Sequence, residues 1–392
     1  MKILFINDYA TATGGAEIVI FTLQEELAKR GHEVKLFASN ANMNGLPSQA
    51  DAHCYGTVSP LRTYLQTANF SAYFQLKKLL AEWQPDIVHV SLFLTQLSPL
   101  ILPLLKNYPA LWHLHWYRGI CPLGTKWLPT GRNCEVDYGP SCLAEGCLPA
   151  PQWLPLMWQM KQLEKHKRVF RRIVANSNFV KIAFERAGYG SLDVVWCATN
   201  DNKISELVEF SATPLIVFAG RLVKEKGVDI LLRAFAQVRQ SVPEAVLKIA
   251  GEGGERKRLE TLAANLGLAA QVKFLGHLSS EKLEIEFGDA WAQVVPSLYH
   301  EPFGLAVSEG MRRGTPVIAT KVGGISELIS HGENGLLVAP DERELAAAIL
   351  QLMQNESLRN SLRRQAFAFS QKKFSAERFA DEFLQIYQEM LR

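Results

Sequence analysis

Short apolar runs alternate with stretches of helical periodicity along the first half of the chain. KILFIND, near the amino terminus, reads as a buried strand, a helical pattern follows from about residue 16 to residue 30, and HEVKLFA reads as a second strand. This order predicts a βαβ unit. Three more apolar runs follow, DIVHV (86–90), ALWHLH (110–115) and RIVA (172–175). Because strands buried on both faces of a parallel sheet read as continuous apolar runs, we predict a doubly wound parallel sheet.

A second alternating series begins after the polar stretch CATNDNKISELVEFSATP (197–214), which we interpret as a domain boundary. Helices are predicted over 228–241 and 256–266, and strands over residues 215–219, 245–250, 272–275, 292–295, 316–320 and 335–338. The pattern therefore predicts an α/β protein with two Rossmann-like domains, residues 1–197 and 213–374, that face each other across a deep cleft. Ligands of such sheets bind beyond the carboxyl ends of the strands.

Composition narrows the function classes. The chain has 392 residues, 48% hydrophobic and 21% charged, and its net charge of +3 is too small to indicate nucleic acid binding. MKILFIND lacks the long apolar core of a secretion signal, and Pro99 and Pro103 break the most lipid-like segment. We therefore expect a cytoplasmic protein without a transmembrane segment.

Six cysteines in a chain without an export signal indicate a reducing compartment. Cys121, Cys134, Cys142 and Cys147 cluster in one loop rich in glycine and proline, where four soft ligands could hold zinc. No close CxxC pair is present, so reduced thiols without a metal are the favoured interpretation.

Glycine-rich and basic turns follow several predicted strands. In TATGGAE, Gly14 and Gly15 precede a helix and could let the backbone approach a phosphate, although such a turn is often only a chain reversal. It is not the GxGxxG fingerprint, so a nicotinamide cofactor is not favoured. In GRLVKEKG, Arg221 and Lys226 are suited to a diphosphate, the alternative being a solvated basic turn. Loops holding Gly251, and His277 with Leu278, could read a nucleobase edge.

The segment YHEPFGLAVSEG (299–310) places two glutamates around a predicted helix start. Free N–H groups near Phe303, Gly304 and Leu305 would attract the same anion as the basic turn. Glu301 and Glu309 could then accept hydrogen bonds from sugar and ribose hydroxyls on either side of it. The alternative is one helix-terminal charge and one exposed glutamate.

Together these motifs resemble a known family. GRLVKEKG, FLGHLS, EPFGLAVSE and TKVGGISELISHGENGLLV, with GGAE and HWYRGICPLG in the first half, are similar in order and spacing to the retaining glycosyltransferases of family 4, which have the GT-B fold. The resemblance covers most of the chain. In the GT-B fold the last helix usually crosses back to the first domain, so by analogy residues 375–392 are expected to pack there.

The resemblance implies roles for particular residues. Arg221 and Lys226 would hold the diphosphate of a nucleotide sugar, Glu309 the ribose and Glu301 the donor sugar. The backbone of Phe303, Gly304 and Leu305 would complete this site, and Gly15 would approach the phosphate. His115 would reach the donor sugar near the reacting carbon, although a histidine in an aromatic setting is more often structural and His113 lies on the same strand face.

The expected reaction is transfer of a hexose from a UDP-sugar, with glucose the favoured hexose, and with UDP and retention of configuration implied by the resemblance. Fixed cations would stabilise the leaving diphosphate. The chain has no Asp-x-Asp pair, so we expect transfer without a divalent metal or other cofactor.

The acceptor is expected to be a saccharide or a lipid-linked saccharide. Residues 151–172 place Trp153 and Trp158 before a basic run, which could seat the protein on the inner face of an anionic plasma membrane. A solvated helix with an apolar core face is the alternative. Competing functions are a sugar-nucleotide 2-epimerase on the same scaffold and a non-enzymatic two-lobed sugar-binding protein, which would normally be exported.

Overall fold

A computed structural model describes residues 1–12, 14–42, 45–199 and 207–392. The chain divides into two compact units. The first comprises Met1–Thr130, Cys134–Asn200 and Ala376–Arg392, and the second comprises Gly131–Asn133 and Asp201–Ser375. Part of the polar stretch predicted as the domain boundary, residues 200–206, lies outside the described residues.

The first unit contains a seven-stranded sheet in the order β3-β2-β1-β4-β5-β6-β7, in which every pairing is parallel. The strands are β1 (Lys2–Tyr9), β2 (Glu33–Ser39), β3 (Ala52–Cys54), β4 (Ile87–Val90), β5 (Ala110–Leu114), β6 (Phe170–Ala175) and β7 (Asp193–Val194). The five longer strands match the apolar runs of the sequence. The two-residue and three-residue edge strands, β7 and β3, are too short to give a hydrophobic period.

Helices connect these strands and cover the sheet. They are α1 (Gly15–Lys29), α2 (Arg62–Thr67), α3 (Phe70–Trp83), α4 (Ser141–Ala144), α5 (Ala150–His166) and α6 (Asn178–Arg186). Two 3₁₀ segments, Pro99–Asn107 and Lys167–Val169, complete the connections. Local signals explain their starts, because the Asn69 side chain accepts from the Ala72 amide at α3 and the Ser177 side chain accepts from the Val180 amide at α6.

The second unit contains a six-stranded sheet in the order β10-β9-β8-β11-β12-β13, again parallel throughout. The strands are β8 (Leu215–Ala219), β9 (Val246–Ala250), β10 (Val272–Gly276), β11 (Ala292–Val295), β12 (Val317–Thr320) and β13 (Leu336–Val338). Because the strands are parallel, the loops that follow them emerge at one edge of the sheet. That edge carries most of the residues singled out from the sequence.

Among the described residues, seven helices flank this second sheet. They are α7 (Val228–Ser241), α8 (Arg256–Asn265), α9 (Ser280–Phe287), α10 (Leu305–Arg313), α11 (Ile325–Leu328), α12 (Glu342–Gln354) and α13 (Glu356–Lys373). Helix α7 shows why they dock, since its buried side chains recur every three or four residues at Val228, Leu231, Leu232, Phe235 and Val238.

The final helix, α14 (Ala376–Leu391), belongs to the first unit. Arg30, the C-cap residue of α1, pairs with Asp381, and the rings of Phe379 and Phe383 pack against His113. The Tyr387 hydroxyl lies 2.6 Å from Nδ1 of His89 in β4. Helix α14 therefore supplies part of the first unit's core.

Across the described part of the chain, no helix combines the length and the apolarity needed to span a bilayer.

Candidate functional site

A buried carboxylate, Glu301, lies at the centre of a hydrogen-bond network in the second unit. Its Oε1 accepts from the Ser297 hydroxyl at 2.6 Å and lies 2.5 Å from the Lys226 ammonium, and its Oε2 accepts from the Tyr299 hydroxyl at 2.8 Å. Burial acts to raise the pKa of Glu301, but the charge of Lys226 and the three hydrogen bonds outweigh it and hold the pKa below its ordinary value. Glu301 is therefore ionised at neutral pH although it is only 5% exposed.

The loop after β8 brings Lys226 to this carboxylate. Lys226 ends a short 3₁₀ turn, and Gly227 then adopts a left-handed conformation with φ of 66° before α7 begins. A Cβ on Gly227 would lie 2.0 Å from the carbonyl oxygen of Pro296, so only glycine allows this loop to pack against the loop after β11. Local backbone geometry thus fixes the Lys226–Glu301 pair.

Arg221 lies at the start of the same loop and has a different environment. Its side chain is 65% exposed, and its Nη2 is 3.9 Å from the nearest oxygen of Glu225. Such an exposed pair contributes little to stability. The guanidinium is therefore available to an anionic ligand, whereas the Lys226 ammonium is already held by Glu301.

The backbone of Glu301 is seated by two glycines after β12 whose roles the sequence interpretation missed. The Gly324 amide donates to the Glu301 carbonyl at 2.8 Å. A Cβ on Gly323 would lie 2.4 Å from that same carbonyl oxygen, and one on Gly324 would lie 2.4 Å from the Pro302 carbonyl oxygen. The VGG triplet in TKVGGISE was the available signal, because adjacent glycines after a strand often mark a close backbone approach.

Helix α10 begins immediately after this network. Gly304, with φ of 107°, is its N-cap residue, and a Cβ there would lie 2.7 Å from Cγ1 of Ile325. Phe303 is buried and its ring packs edge-on against Phe374, while Leu305 is half-buried as the first helical residue. The helix ends at Arg313, and Gly314 is its C-cap residue. Glu301 lies four residues before the first helical residue, Leu305, so it is not on the same helix face as Glu309.

Glu309 lies on the second turn of α10 and is half-buried. Burial raises the pKa of Glu309 above its ordinary value, Arg313 opposes this, and Glu284 adds to it. Its environment therefore differs from that of Glu301, which has an adjacent cation and two hydroxyl donors. A ligand hydroxyl would supply Glu309 with a hydrogen bond to its charged form.

Loops after β9 and β10 hold the residues predicted to lie near a nucleobase. Gly251 packs its backbone against Gly220, and a Cβ would lie 1.8 Å from the Gly220 carbonyl oxygen. His277 is exposed and Leu278 is half-buried against the apolar cluster that includes Leu215. The close packing against Gly220 therefore explains a glycine at position 251 without any ligand contact. A contact between Gly251, His277 or Leu278 and a base stays a prediction.

In the first unit, His115 follows β5 and is almost fully buried. The ring centroids of His115 and His113 are 4.1 Å apart. Nδ1 of His113 in turn lies 3.3 Å from Nε2 of His89. Within the described residues, Nε2 of His115 and Nε2 of His113 have no hydrogen-bond partner. Burial lowers the pKa of His115 to about 3, so its imidazole is neutral at physiological pH.

Gly14 and Gly15 lie where β1 leads into α1. Gly14 is the N-cap residue with extended backbone angles, and Gly15 is the first residue of the helix. A Cβ on Gly14 would approach Oε2 of the buried Glu17 to 3.2 Å. This carboxyl group was not singled out from the sequence, and it lies in the first turn of the helix. A phosphate contact at this turn stays a prediction.

Two family descriptions match the chain, one in each half. The family described as Glycosyltransferase Family 4 matches residues 13–203, and Glycosyl transferases group 1 matches residues 199–369. The chain belongs to the family 4 glycosyltransferases. A curated relative, an uncharacterized glycosyltransferase of Methanocaldococcus jannaschii, is 34% identical over 174 residues, which are 44% of this chain and 44% of that protein. The chain thus matches less than half the length of this relative.

Solved structures identify the fold of this family 4 chain. It is similar to sucrose-phosphate synthase from Thermosynechococcus elongatus, with a TM-score of 0.75 and 23% identity over 100% of this chain and 99% of that one. It is also similar to Anabaena HepE in complex with UDP and glucose, with a TM-score of 0.71 and 20% identity over 99% of this chain and 100% of that one. The α/β GT-B fold, with two Rossmann-like units, is confirmed.

The cysteine-rich loop of the family 4 chain has no arranged metal site in the described ranges. Cys121, Cys134, Cys142 and Cys147 are half-buried free thiols, and no group of three or more histidine, cysteine or acidic residues among the described residues could hold a metal ion. Burial raises the pKa of the Cys147 thiol to about 11, so it is protonated at neutral pH.

Proposed function

We propose that the protein transfers a hexose from a UDP-sugar to a saccharide or lipid-linked saccharide. The observation that supports this most strongly is the ionised Glu301 beside Lys226 at the carboxyl edge of the second sheet. A carboxylate at this position accepts hydrogen bonds from sugar hydroxyls, and an ammonium beside it attracts a diphosphate. Glu301 is held by Lys226, Ser297 and Tyr299, and such fixed positions lower the cost of ordering a site on binding.

The proposed donor site places three kinds of group around the diphosphate. Arg221 and Lys226 supply positive charge, the N-terminus of α10 at Gly304 and Leu305 supplies backbone N–H groups, and Glu301 and Glu309 accept from the hydroxyls of the sugar and the ribose. As the glycosyl–phosphate bond breaks, negative charge grows on the leaving diphosphate, and groups fixed around it stabilise the transition state. UDP is favoured because HepE, which has the same fold, is described in complex with UDP and glucose.

Metal independence and retention of configuration are part of the proposal. Two cationic side chains and a helix N-terminus can neutralise the leaving group in place of Mg²⁺ or Mn²⁺. We expect full activity in EDTA, and complete loss that manganese restores would contradict this. Retention rests on the family assignment, and NMR of the anomeric proton in the first product formed tests it.

One experiment tests the function as a whole. A thermal-shift panel with UDP-, GDP- and ADP-hexoses identifies the donor, because a ligand that binds only the folded state raises the midpoint of unfolding. We expect UDP-glucose to give the largest shift, and incubation with acceptor oligosaccharides to release UDP. Conversion of the free UDP-sugar into its 2-epimer without an acceptor would instead support the epimerase alternative.

Peripheral membrane contact is the remaining part of the proposal, because a lipid-linked acceptor would be presented at a membrane. In the structure, some basic residues of the run predicted for this role are exposed, and others are held in ion pairs. Lys161, Lys165 and Arg168 are exposed on α5 and the turn after it. In contrast, Lys167 pairs with Glu164, and Arg172 of β6 pairs with Asp193 and Glu389.

A further inference from the structure

The first unit carries a concentrated exposed apolar surface. Six large hydrophobic side chains within 20 residues are each between 56% and 65% exposed, namely Tyr55, Val58, Leu61, Tyr64, Phe70 and Phe74. We call these six the aromatic surface. Soluble proteins rarely expose contiguous apolar patches of this kind without a binding role, whereas single exposed hydrophobic residues are common.

Hydrogen bonds join the segments that carry this surface. The Tyr55 amide donates to the Ser71 hydroxyl at 3.0 Å, and the Asn69 side chain donates to the Tyr55 carbonyl at 2.9 Å, so Tyr55 lies beside the start of α3. Phe70 and Phe74 are one turn apart on the outer face of α3, while Ala72, Leu76 and Leu80 fill its inner face. Phe70 and Phe74 therefore lie outside the core of the first unit, and packing within that core does not explain two phenylalanines at these positions.

Helix α5 extends the aromatic surface. The Gln159 side chain of α5 hydrogen-bonds to the Gln66 carbonyl of α2, which places the two helices side by side. On α5, Leu154 is 68% exposed and Trp158 is 40% exposed. Tyrosine, tryptophan and phenylalanine are the side chains that favour the boundary between lipid and water.

The charge of the same region is one-sided. Between Asp51 and Glu82 the sequence has no acidic residue, but it has Arg62, Lys77 and Lys78. Lys77 and Lys78 are exposed one turn beyond Phe74 on the outer face of α3. On α5, Lys161 and Lys165 add two further exposed cations. Apolar side chains bordered by cations are complementary to an anionic lipid surface.

We propose that the aromatic surface, with Leu154 and Trp158, docks the first unit onto an anionic membrane. Phe70 and Phe74 insert among the lipid chains, and Arg62, Lys77 and Lys78 contact the headgroups. A second copy of the chain is a poorer occupant, because a symmetric contact would place Arg62, Lys77 and Lys78 against their own copies, and the single carboxylate of α3, Glu82, already pairs with Lys78 at 3.9 Å. This inference rests on the proposed function in the form in which the acceptor is a lipid-linked saccharide presented at a membrane.

Vesicle flotation tests the docking surface. The probes are vesicles of phosphatidylcholine alone and of phosphatidylcholine with about one-third phosphatidylglycerol, a fraction chosen to give a clear negative surface potential. We expect the wild-type protein to float with the anionic vesicles only, and to release as salt is raised. Phe70→Ser and Phe74→Ser should each weaken partitioning about tenfold, and Lys77→Gln with Lys78→Gln about tenfold together.

A matched control separates this surface from general hydrophobicity. Ile285 of α9 in the second unit is 79% exposed, so Ile285→Ser removes a similar side chain elsewhere and should leave flotation unchanged. Equal loss of flotation in Ile285→Ser and Phe74→Ser would overturn the proposal. A wild-type dimer in sedimentation analysis without lipid, made monomeric by Phe74→Ser, would also overturn it in favour of self-association.

The same samples distinguish this inference from the proposed function. UDP-glucose should still raise the thermal midpoint of Phe70→Ser and Phe74→Ser, because neither residue belongs to the donor site. A protein that binds UDP-glucose but floats with no vesicle refutes the docking surface alone. A protein that floats but binds no nucleotide sugar refutes the proposed function and leaves the docking surface supported.

Discussion

The two units bury polar groups to a similar degree but keep them in different charge states. In the second unit, Glu301 is 5% exposed and ionised, because Lys226, Ser297 and Tyr299 donate to it. In the first unit, burial lowers the pKa of His89, His113 and His115, and no ion pair of these three is found in the described ranges. Burial alone therefore does not decide charge. The partners that a fold places around the group decide it.

The largest effect on activity should come from removing the positive charge of Lys226, which lies beside Glu301. Lys226→Ala takes away a fixed positive charge from the leaving diphosphate and should lower kcat/KM about 10³-fold. It also leaves Glu301 buried without its counterion, so the thermal midpoint should fall. Steady-state kinetics and thermal unfolding check both effects. Lys224→Ala is the matched control, since Lys224 is exposed in the same turn and should retain activity.

Neutralising the carboxylate should have the next largest effect. Glu301→Gln keeps the shape of the side chain but removes the charged acceptor proposed to hold the donor sugar, so kcat/KM should fall about 10²-fold. Binding of UDP, which lacks the sugar, should change little in isothermal titration. Equal losses of UDP and UDP-glucose affinity would instead assign Glu301 to the nucleotide.

The stability of the first unit should depend on pH through its three buried histidines. The unfolded chain protonates its histidines as the pH falls below about 6.5, while the folded first unit keeps His89, His113 and His115 neutral. The contribution of these histidines to the free energy of unfolding is therefore fully present above pH 6.5 and is lost as the pH falls. Between pH 6.5 and 5 the loss should reach at least about 2 kcal/mol, the value for one histidine.

Hydrogen exchange resolved by segment measures this loss separately in each unit. Amides of β4 and β5 should lose protection between pH 6.5 and 5, after correction for intrinsic exchange. Amides of β8 and β11 should keep theirs in this window, because the depressed pKa of Glu301 removes stability only below its ordinary value. Equal losses in both sheets would show that the contrast between the units is wrong.

The smallest effect should come from a single hydroxyl. Tyr299→Phe removes one donor to Oε2 of Glu301 and should raise the pKa of that carboxyl. Activity at neutral pH should fall about tenfold, the cost of one hydrogen bond to a charged group. The acid limb of the pH profile should also move upward, which a purely packing role for Tyr299 would not produce. Ser297→Ala tests the other oxygen in the same way.

Much of the second unit could be predicted from the sequence. Strands 215–219 and 292–295 and helix 228–241 have the predicted bounds, because each is a continuous apolar or periodic run between turn residues. GRLVKEKG and EPFG also predict that Lys226 and Glu301 belong to one edge of the sheet. The sequence could not show that Lys226 and Glu301 contact each other, since that contact depends on Gly227 packing against Pro296.

The first unit was less predictable. The imidazoles of His89 and His113 alternate with apolar side chains in β4 and β5, and nothing in that pattern indicates that their rings meet. Tyr387, which lies beside His89, is far away in the sequence. The exposed aromatic surface was likewise missed, because Phe70 and Phe74 have the same residue type as core phenylalanines and only the packing of α3 shows which face is solvated.

Helix α14 has a consequence for biosynthesis. Tyr387 is translated 298 residues after the histidine it contacts, so the ribosome must complete the whole second unit before the first can close its core. Nascent chains usually fold from the amino terminus onward, and this one would carry an unfinished apolar surface in the meantime. Termination between residues 339 and 375 should therefore yield a polypeptide that chaperones retain, even though every strand of both sheets is already present.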